Sequence, residues 1–352
     1  MDVAILATAR FAINEPFAGG MEMHTHVLAE ELVARGNTVT VYAAAGRGRF
    51  RLEPLLPVSF TPSPTARLDV SAAPDSVVSE HHSYLDAMLR IADGGHDLVH
   101  INAVHYLPFS CTGLLGCAAS ATLHSPPTPW LESALRLAGR RRNPASLVSV
   151  SHSNAAQWPD ISIDRVIVNG VDLDAWPLGP GGDAAVWTGR LVPEKAPHLA
   201  IDAARIADLP LRLLGPVHDG GYFRTHIEPR LGGDIEYLGH GSVAQVADVV
   251  GRSAVAVVTP MWDEPFGLVV AEALSCGTPV AGFARGALPE IVDDATGVLA
   301  APGDPVALAA AMLGASRLDR ADCRRRAVST FSAAVMVDGY EAWFSELIAS
   351  RS

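Results

Sequence analysis

Short apolar runs rich in β-branched residues recur along this chain, and they come in two successive sets. In the first half they fall at 3–7, 38–42, 98–101, 121–123, 147–150 and 166–168; in the second at 185–187, 211–214, 235–238, 254–258, 280–283 and 298–300. Helical patterns fill most of the intervals. Met21, Leu28 and Leu32 share one face of the first helix, and Val306, Leu308 and Leu313 lie in a later one. A strand that is apolar throughout is covered on both faces, and strands alternating with helices must run parallel. The expectation is therefore an α/β chain of two Rossmann-like, doubly wound domains facing each other across a cleft, with ligands at the strand carboxyl ends. Residues 172–183 (DLDAWPLGPGGD) have the Gly, Pro and Asp content of a hinge. That places a first domain at 1–171 and a second at 184–331. Residues 51–74 are proline-rich and poorly periodic, which suits a long loop.

Composition narrows the function. The chain has 352 residues, enough for two domains, and a formal net charge of −12. A nucleic-acid binder should show a basic footprint instead, and general adhesion to anionic lipid is disfavoured in the same way. Cys111, Cys117, Cys276 and Cys323 have no C-x-x-C spacing, so reduced, buried thiols are expected. The start, MDVAILATARF, lacks a basic lead and a cleavage site and reads as a first strand. No apolar run reaches the roughly 20 residues of a spanning helix. These features together suggest a cytoplasmic protein.

Chemistry concentrates in the run MWDEPFGLVVAEALSCGTPVAGFARGALPEIV. It sets Glu264, a Pro-Phe-Gly turn and Glu272 across the junction between the strand at 254–258 and a helix starting near Gly267. Bare N–H groups at a helix start are a natural seat for phosphate. Glu272, a turn and a half further on, is placed to grip sugar hydroxyls. Val269, Ala273 and Leu274 read as core. Earlier, Gly189-Arg190-Leu-Val-Pro-Glu-Lys195 follows the first strand of the second half and offers two cations for a diphosphate. Gly19 and Gly20 close the first strand-to-helix loop, where backbone can approach a ligand. His124 follows a strand of the first half, and His100 and His105 flank another strand end.

On these residues the chain resembles the retaining glycosyltransferases of family 4, which have the GT-B fold and an E-x7-E motif. Glu264 to Glu272, Gly277-Thr-Pro-Val280 and Gly286 with Pro289-Glu290 all fall in the family's order. Residues 189–195 resemble its G-R-x-x-x-x-K-G motif, with Ala196 for the last glycine. The opening GGMEMHTHVLAEELVARGNTVTVYAA is similar almost throughout, and Asn169-Gly-Val-Asp172 resembles an interdomain segment. The resemblance implies transfer of a sugar from a nucleotide diphosphate sugar, UDP-linked or GDP-linked, to a small-molecule or glycan acceptor. It implies donor contacts from Gly19, Gly20, Arg190, Lys195, Gly239, His240, Glu264, Phe266, Gly267, Leu268, Val269 and Glu272. Catalytic roles are implied for His124, Arg190, Lys195 and Glu264. Glu22, His100 and His105 would line the acceptor side. The terminal helices, with Phe331, Met336, Tyr340 and Phe344, would return to the first domain and add 332–352 to it.

Other readings stay open. A nucleotide-sugar 2-epimerase of similar bilobed shape would use the same phosphate-binding residues, and a non-catalytic nucleotide-sugar sensor would keep part of them. Asp172-Leu-Asp174 matches the D-x-D of metal-using transferases. It sits in the hinge, however, and the cations already serve the phosphates, so no metal or other cofactor is expected. Asp293-Asp294 reads as a loop. Arg136, Arg140, Arg141 and Arg142 form a basic cluster that reads as a solvated face, or as a contact for an anionic acceptor or a membrane surface.

Overall fold

The computed structural model describes residues 1–55, 62–140 and 143–351. The chain divides into two compact units. The first comprises Met1–Ser149, Trp158–Val166 and Val337–Ser352, and the second Val150–Gln157 and Ile167–Met336.

The first unit is built on a seven-stranded parallel sheet. Its strands are β1 (Asp2–Leu6), β3 (Thr38–Ala43), β5 (Arg51–Pro54), β6 (Leu98–Ile101), β7 (Ala118–Leu123), β8 (Ser146–Ser149) and β9 (Arg165–Val166), in the order β5-β3-β1-β6-β7-β8-β9. A small parallel pair, β2 (Ala12–Ile13) and β4 (Ala45–Gly46), stands beside it. Residues 3–6 of β1 are fully buried, as a central strand covered on both faces requires. Alternate residues point to opposite faces, and Ala4 and Leu6 join Val99, Ile101, Ala119 and Ala121 on one of them. The helix Asp75–Asp93 covers that face with Tyr84, Ala87, Met88 and Ile91, spaced as one helical stripe.

The second unit holds a six-stranded parallel sheet: β10 (Ala185–Thr188), β11 (Leu211–Leu214), β12 (Ile235–Tyr237), β13 (Val255–Val258), β14 (Val280–Phe283) and β15 (Gly297–Ala300), in the order β12-β11-β10-β13-β14-β15. Trp187, Leu213, Val257 and Phe283 share a core with the helices Pro197–Ala207 and Pro305–Ala315. In both units the first strand is central, with successors added first to one side and then to the other. That is the doubly wound order, with a switch point between β1 and β6 in the first unit and between β10 and β13 in the second.

Four expectations need correction. The 51–74 stretch, taken as a loop, supplies the edge strand β5 and a 3₁₀ turn at Ala66–Leu68; its residues 56–61 lie outside the described residues. Val269, expected in the core with Ala273 and Leu274, is half-buried, whereas the other two are buried. Residues 167–171 and 332–336, assigned to the first domain, belong to the second unit, as does 150–157. The helix Ala333–Ala349 is thus shared between the units, and within the first unit its later part bonds Tyr340 Oη to Thr122 Oγ1 at 2.7 Å.

The fourth concerns 172–183. This segment is not a free hinge but lies within the second unit. The Gly179 N–H donates to the Cys276 carbonyl at 3.0 Å and that of Gly181 to the Gly251 carbonyl at 2.9 Å. Arg324 holds the Trp176 carbonyl at 2.8 Å, and Trp176 is buried. Its glycines serve close packing: a Cβ on Gly179 would stand 2.2 Å from the Gly251 carbonyl oxygen. Asp172 and Asp174 form a local turn, the Asp174 N–H donating to Asp172 Oδ1 at 2.9 Å. No helix among the described residues is long and apolar enough to cross a membrane.

Gly179→Ala is therefore expected to destabilise the protein by roughly 1–3 kcal/mol, the usual cost of overpacking, read as a lower midpoint in urea. A midpoint equal to that of the parent would mean that the segment is a loose connector.

Candidate functional site

At the switch point of the second unit, the loops after β10 and β13 part company. The loop after β10 turns at Gly189 (φ 148°) and passes through a 3₁₀ turn at Pro193–Lys195. It then enters the helix Pro197–Ala207 through Ala196, which adopts a left-handed φ of 45°. Glycine would hold that conformation without strain, which accounts for the glycine at the corresponding place in the resembling motif. Thr259, just beyond β13, fixes this turn. Its hydroxyl accepts from Trp187 Nε1 at 3.0 Å and faces the carbonyls of Lys195 at 2.8 Å and Ala196 at 3.1 Å.

The two loops are joined by an ion pair. Lys195 Nζ donates to Glu264 Oε2, and Trp262 Nε1 donates to the same oxygen at 3.0 Å. The ammonium lies 5.4 Å from the centre of the Trp262 ring, within cation–π range. The pair is partly sheltered, with the lysine 24% and the glutamate 13% exposed. Glu264 is anchored from behind, its carbonyl accepting from the Ala287 N–H at 2.9 Å. Gly286 has φ 59°, and a Cβ there would meet Glu264 N at 2.3 Å, so the backbone passes where no side chain fits. The Pro265 carbonyl accepts from Ser151 Oγ at 2.6 Å.

Gly267 (φ 92°) is the N-cap of the helix Leu268–Ser275, and no side chain caps it. The Val270 N–H donates to the Gly267 carbonyl at 2.9 Å, and the N–H groups of Leu268 and Val269 are left available. Leu268 and Val269 are half-buried, whereas the Phe266 ring is buried edge-on against Phe331 at 6.0 Å. With its ring buried, Phe266 would meet a donor through its backbone. Arg190 is exposed, and its guanidinium has no ion-pair or hydrogen-bond partner among the described residues. Glu272 is likewise unpaired, and burial pushes its carboxyl up to about 7. Gly239 (φ 83°) and the exposed His240 follow β12, two strands away from the switch point.

In the first unit the polar residues converge on Asn102, at the end of β6. Its Nδ2 donates to Thr25 Oγ1 at 2.6 Å and faces His24 Nδ1 at 3.1 Å. Its Oδ1 is bonded to His124 Nε2. An amide oxygen only accepts, so His124 must carry its proton on Nε2 and leave Nδ1 bare. Burial pushes the His124 imidazole down to about 3, so the ring is neutral across the physiological range. His24 is fully buried and held well below its ordinary value by desolvation. Its ring meets that of His124 edge-on at 4.7 Å.

The acceptor-side assignments fare differently. His100 is fully buried in β6, bonded through Nε2 to Thr122 Oγ1 at 3.1 Å and packed on Tyr340 and Phe344. It is a core residue with no exposed surface, which does not favour its place on the acceptor side. Glu22 is buried at 4% exposure. His105 caps the helix Tyr106–Cys111 by accepting from the Leu107 N–H at 3.2 Å and remains half-buried. Gly19 precedes the helix Gly20–Ala34 with extended backbone, and a Cβ there would come 3.2 Å from Glu22 Oε2. In the basic cluster, Arg136 is tied to Glu132 and Asp160, while Arg141 and Arg142 lie outside the described residues.

Sequence reasoning missed Trp262, Thr259 and Asn102. One overlooked signal was in plain view: Lys195 is the sole lysine of the chain. Where arginine otherwise supplies every side-chain cation, a lone lysine marks a place where a compact, mobile point charge is wanted.

The Asn102 bond is testable. Asn102→Asp puts a carboxylate against the His124 N–H and should raise the His124 pKa by roughly 1–3 units, followed by NMR titration. An unchanged titration would break the link between the two residues.

Residues 18–175 match the family model "Glycosyltransferase Family 4" and residues 178–328 the model "Glycosyl transferases group 1". The chain is similar to a D-inositol 3-phosphate glycosyltransferase of Mycolicibacterium paratuberculosis, 28% identical over 90% of this chain and 82% of the relative. A protein of the same name from Geodermatophilus obscurus is 29% identical over 92% and 85%. Among solved structures, sucrose-phosphate synthase from Thermosynechococcus elongatus superposes with a TM-score of 0.77 at 21% identity, covering 99% of each chain. Anabaena HepE in complex with UDP-glucose does so with a TM-score of 0.75 at 16% identity, over 99% of this chain and 100% of that one. Two doubly wound units, both family models and these likenesses agree: the chain belongs to the family 4 glycosyltransferases of GT-B fold.

Proposed function

We propose that the protein transfers a sugar from a nucleotide diphosphate sugar, UDP-linked rather than GDP-linked, to an acceptor hydroxyl in the cytosol, with retention and without a metal. The observation that carries this reading is the charge arrangement at the second unit's switch point. The sole lysine and an uncapped helix start line one small hollow together with Gly189, and an arginine unpaired among the described residues follows that glycine in the chain. UDP is favoured because HepE, of the same fold, was solved with UDP-glucose.

In this reading the bond between the sugar's anomeric carbon and the diphosphate breaks, and negative charge develops on the departing phosphate. Arg190, Lys195 and the N–H groups of Gly267 and Leu268 offset that charge, which is where a transferase gains most. Phosphate competes with Glu264 for Lys195, and the carboxylate so released accepts from sugar hydroxyls. Glu272 accepts from the ribose hydroxyls. His124, held neutral, offers a hydroxyl its bare Nδ1 rather than a charge. Retention is taken from the family resemblance, with the acceptor attacking on the face that the phosphate leaves. With the positive charge supplied by side chains and backbone, no metal is required.

Two outcomes follow. Arg190→Ala or Lys195→Ala should each lower kcat/KM by roughly 10- to 150-fold, equivalent to about 1.5–3 kcal/mol for a charge-assisted bond, with activity retained in EDTA. Near-parental rates would remove the diphosphate from this site, and a chelator-sensitive rate restored by Mg²⁺ would overturn the metal-free reading.

The second outcome concerns Glu272. Its carboxyl sits at about 7 against an ordinary 4.5. Between those values the native protein holds a proton that the unfolded chain has lost, so this group's contribution to stability falls as pH rises through that window. Ribose hydroxyls favour the ionised form. UDP-glucose affinity should therefore rise with pH up to about 7 and level off above it, with proton release visible as buffer-dependent heat in calorimetry. Glu272→Gln should flatten this profile. A profile that persists in the variant would assign it to another group.

A further inference from the structure

The connection from β7 carries His124 and, six residues on, Trp130 at the start of the helix Pro129–Ala138. Trp130 is 70% exposed, yet it is not a loose surface ring. It stacks on Tyr106 at 5.1 Å and 23°; Tyr106 stacks on His105 at 4.9 Å and 22°; His105 stacks on Tyr84 at 4.5 Å and 20°. Four near-parallel rings thus run from the core to solvent. The inner end is fixed, since Tyr84 is 2% exposed and its hydroxyl accepts from the Ala9 N–H at 3.1 Å. His81 braces the middle edge-on and bonds to the Tyr106 hydroxyl. Thr128 caps the helix beneath Trp130, accepting from the Leu131 N–H at 3.3 Å.

A solvent-facing indole so immobilised is a preorganised surface, because a ring that lands on it need not pay to order it. The chemistry it recognises is a flat apolar ring face. The surrounding charge argues against an anion. Arg10, the cation beside the stack, donates from Nε and Nη2 to the two oxygens of the Glu80 carboxylate at 2.8 and 2.7 Å. Burial holds His105 down at about 4, so it stays uncharged.

We propose that the exposed face of Trp130 is the acceptor subsite of the first unit, and that it takes a neutral acceptor with a flat apolar ring face rather than a phosphorylated one. This deepens the transferase reading and rests on it, and it separates this chain from relatives named for inositol 3-phosphate. The ring could be that of a sugar or of an aromatic aglycone.

The main test needs no donor. Calorimetric binding of a methyl glucoside, a p-nitrophenyl glucoside and inositol 3-phosphate is compared between the parent, Trp130→Phe and Trp130→Ala, each first shown to melt cooperatively. At least one neutral glucoside should bind. Trp130→Ala should weaken it roughly tenfold or more, and Trp130→Phe should keep most of the affinity. A gain of the p-nitrophenyl over the methyl glucoside assigns an aromatic ring, and equal affinity assigns the sugar ring. Equal binding of the glucosides by parent and Trp130→Ala, no binding of either glucoside by the parent, or tighter binding of inositol 3-phosphate would each overturn the proposal. Donor hydrolysis, measured separately, decides the transferase reading itself.

Discussion

The ion pair between Lys195 and Glu264 ties together the two loops that diverge at the second sheet's switch point. Almost everything near it serves to hold one partner or the other. Thr259 and Trp187 secure the turn that presents the lysine, and Trp262 adds a second donor to the same carboxylate oxygen. Gly286 and Ala287 press the glutamate's backbone into place from behind. A fully buried pair would be costly to open, because each charge would have lost its water. This one keeps some exposure on both partners. The lysine is therefore held in position without being locked there, as the proposed exchange of Glu264 for a phosphate requires.

The two units share a strand order but not a chemistry. The second presents an unpaired arginine, a lysine, two carboxylates and an open helix start. The first presents neutral imidazoles and aromatic rings. Desolvation is the reason: His24, His100 and His124 are each held below the ordinary histidine range by burial. Clustering three histidines in one region would be unfavourable if they were charged. It is tolerable because Asn102 and Thr122 give these rings hydrogen-bond partners in the neutral form. In the proposed transferase reading, such a division suits a charged leaving group handled by one unit and uncharged hydroxyls handled by the other.

Glycine plays two different parts in this chain. At Gly267 and Gly189 it permits backbone torsions that other residues resist. At Gly179 and Gly286 it yields space to a passing backbone. The second role defeats a composition argument. A run of glycine and proline looks like a flexible linker, yet here 172–183 is strapped to its unit by backbone hydrogen bonds and by Arg320 and Arg324.

Much of the architecture was legible in the sequence. Apolar runs located every strand of both main sheets except the edge strand β5, because a strand buried on both faces has no freedom to be polar. The order Glu264, Gly267, Glu272 marked a strand-to-helix junction, because a helix start and its flanking residues are local in sequence. The edge strand β5 was invisible, since an edge needs neither face fully apolar. What only the tertiary structure decided were relations between distant segments. Lys195 and Glu264, 69 residues apart, were assigned separate tasks until the fold made them partners. His100 and His124 looked alike as histidines at or near strand ends, and depth alone makes one a core residue and leaves the other partly open. Asn102 drew no notice because an asparagine after a strand reads as a turn. Its importance comes from the groups that converge on it from the first helix and from the end of β7. Periodicity and local motifs are written into the order of the residues. Burial, partnership and the protonation state of an imidazole are set by which segments fold against it.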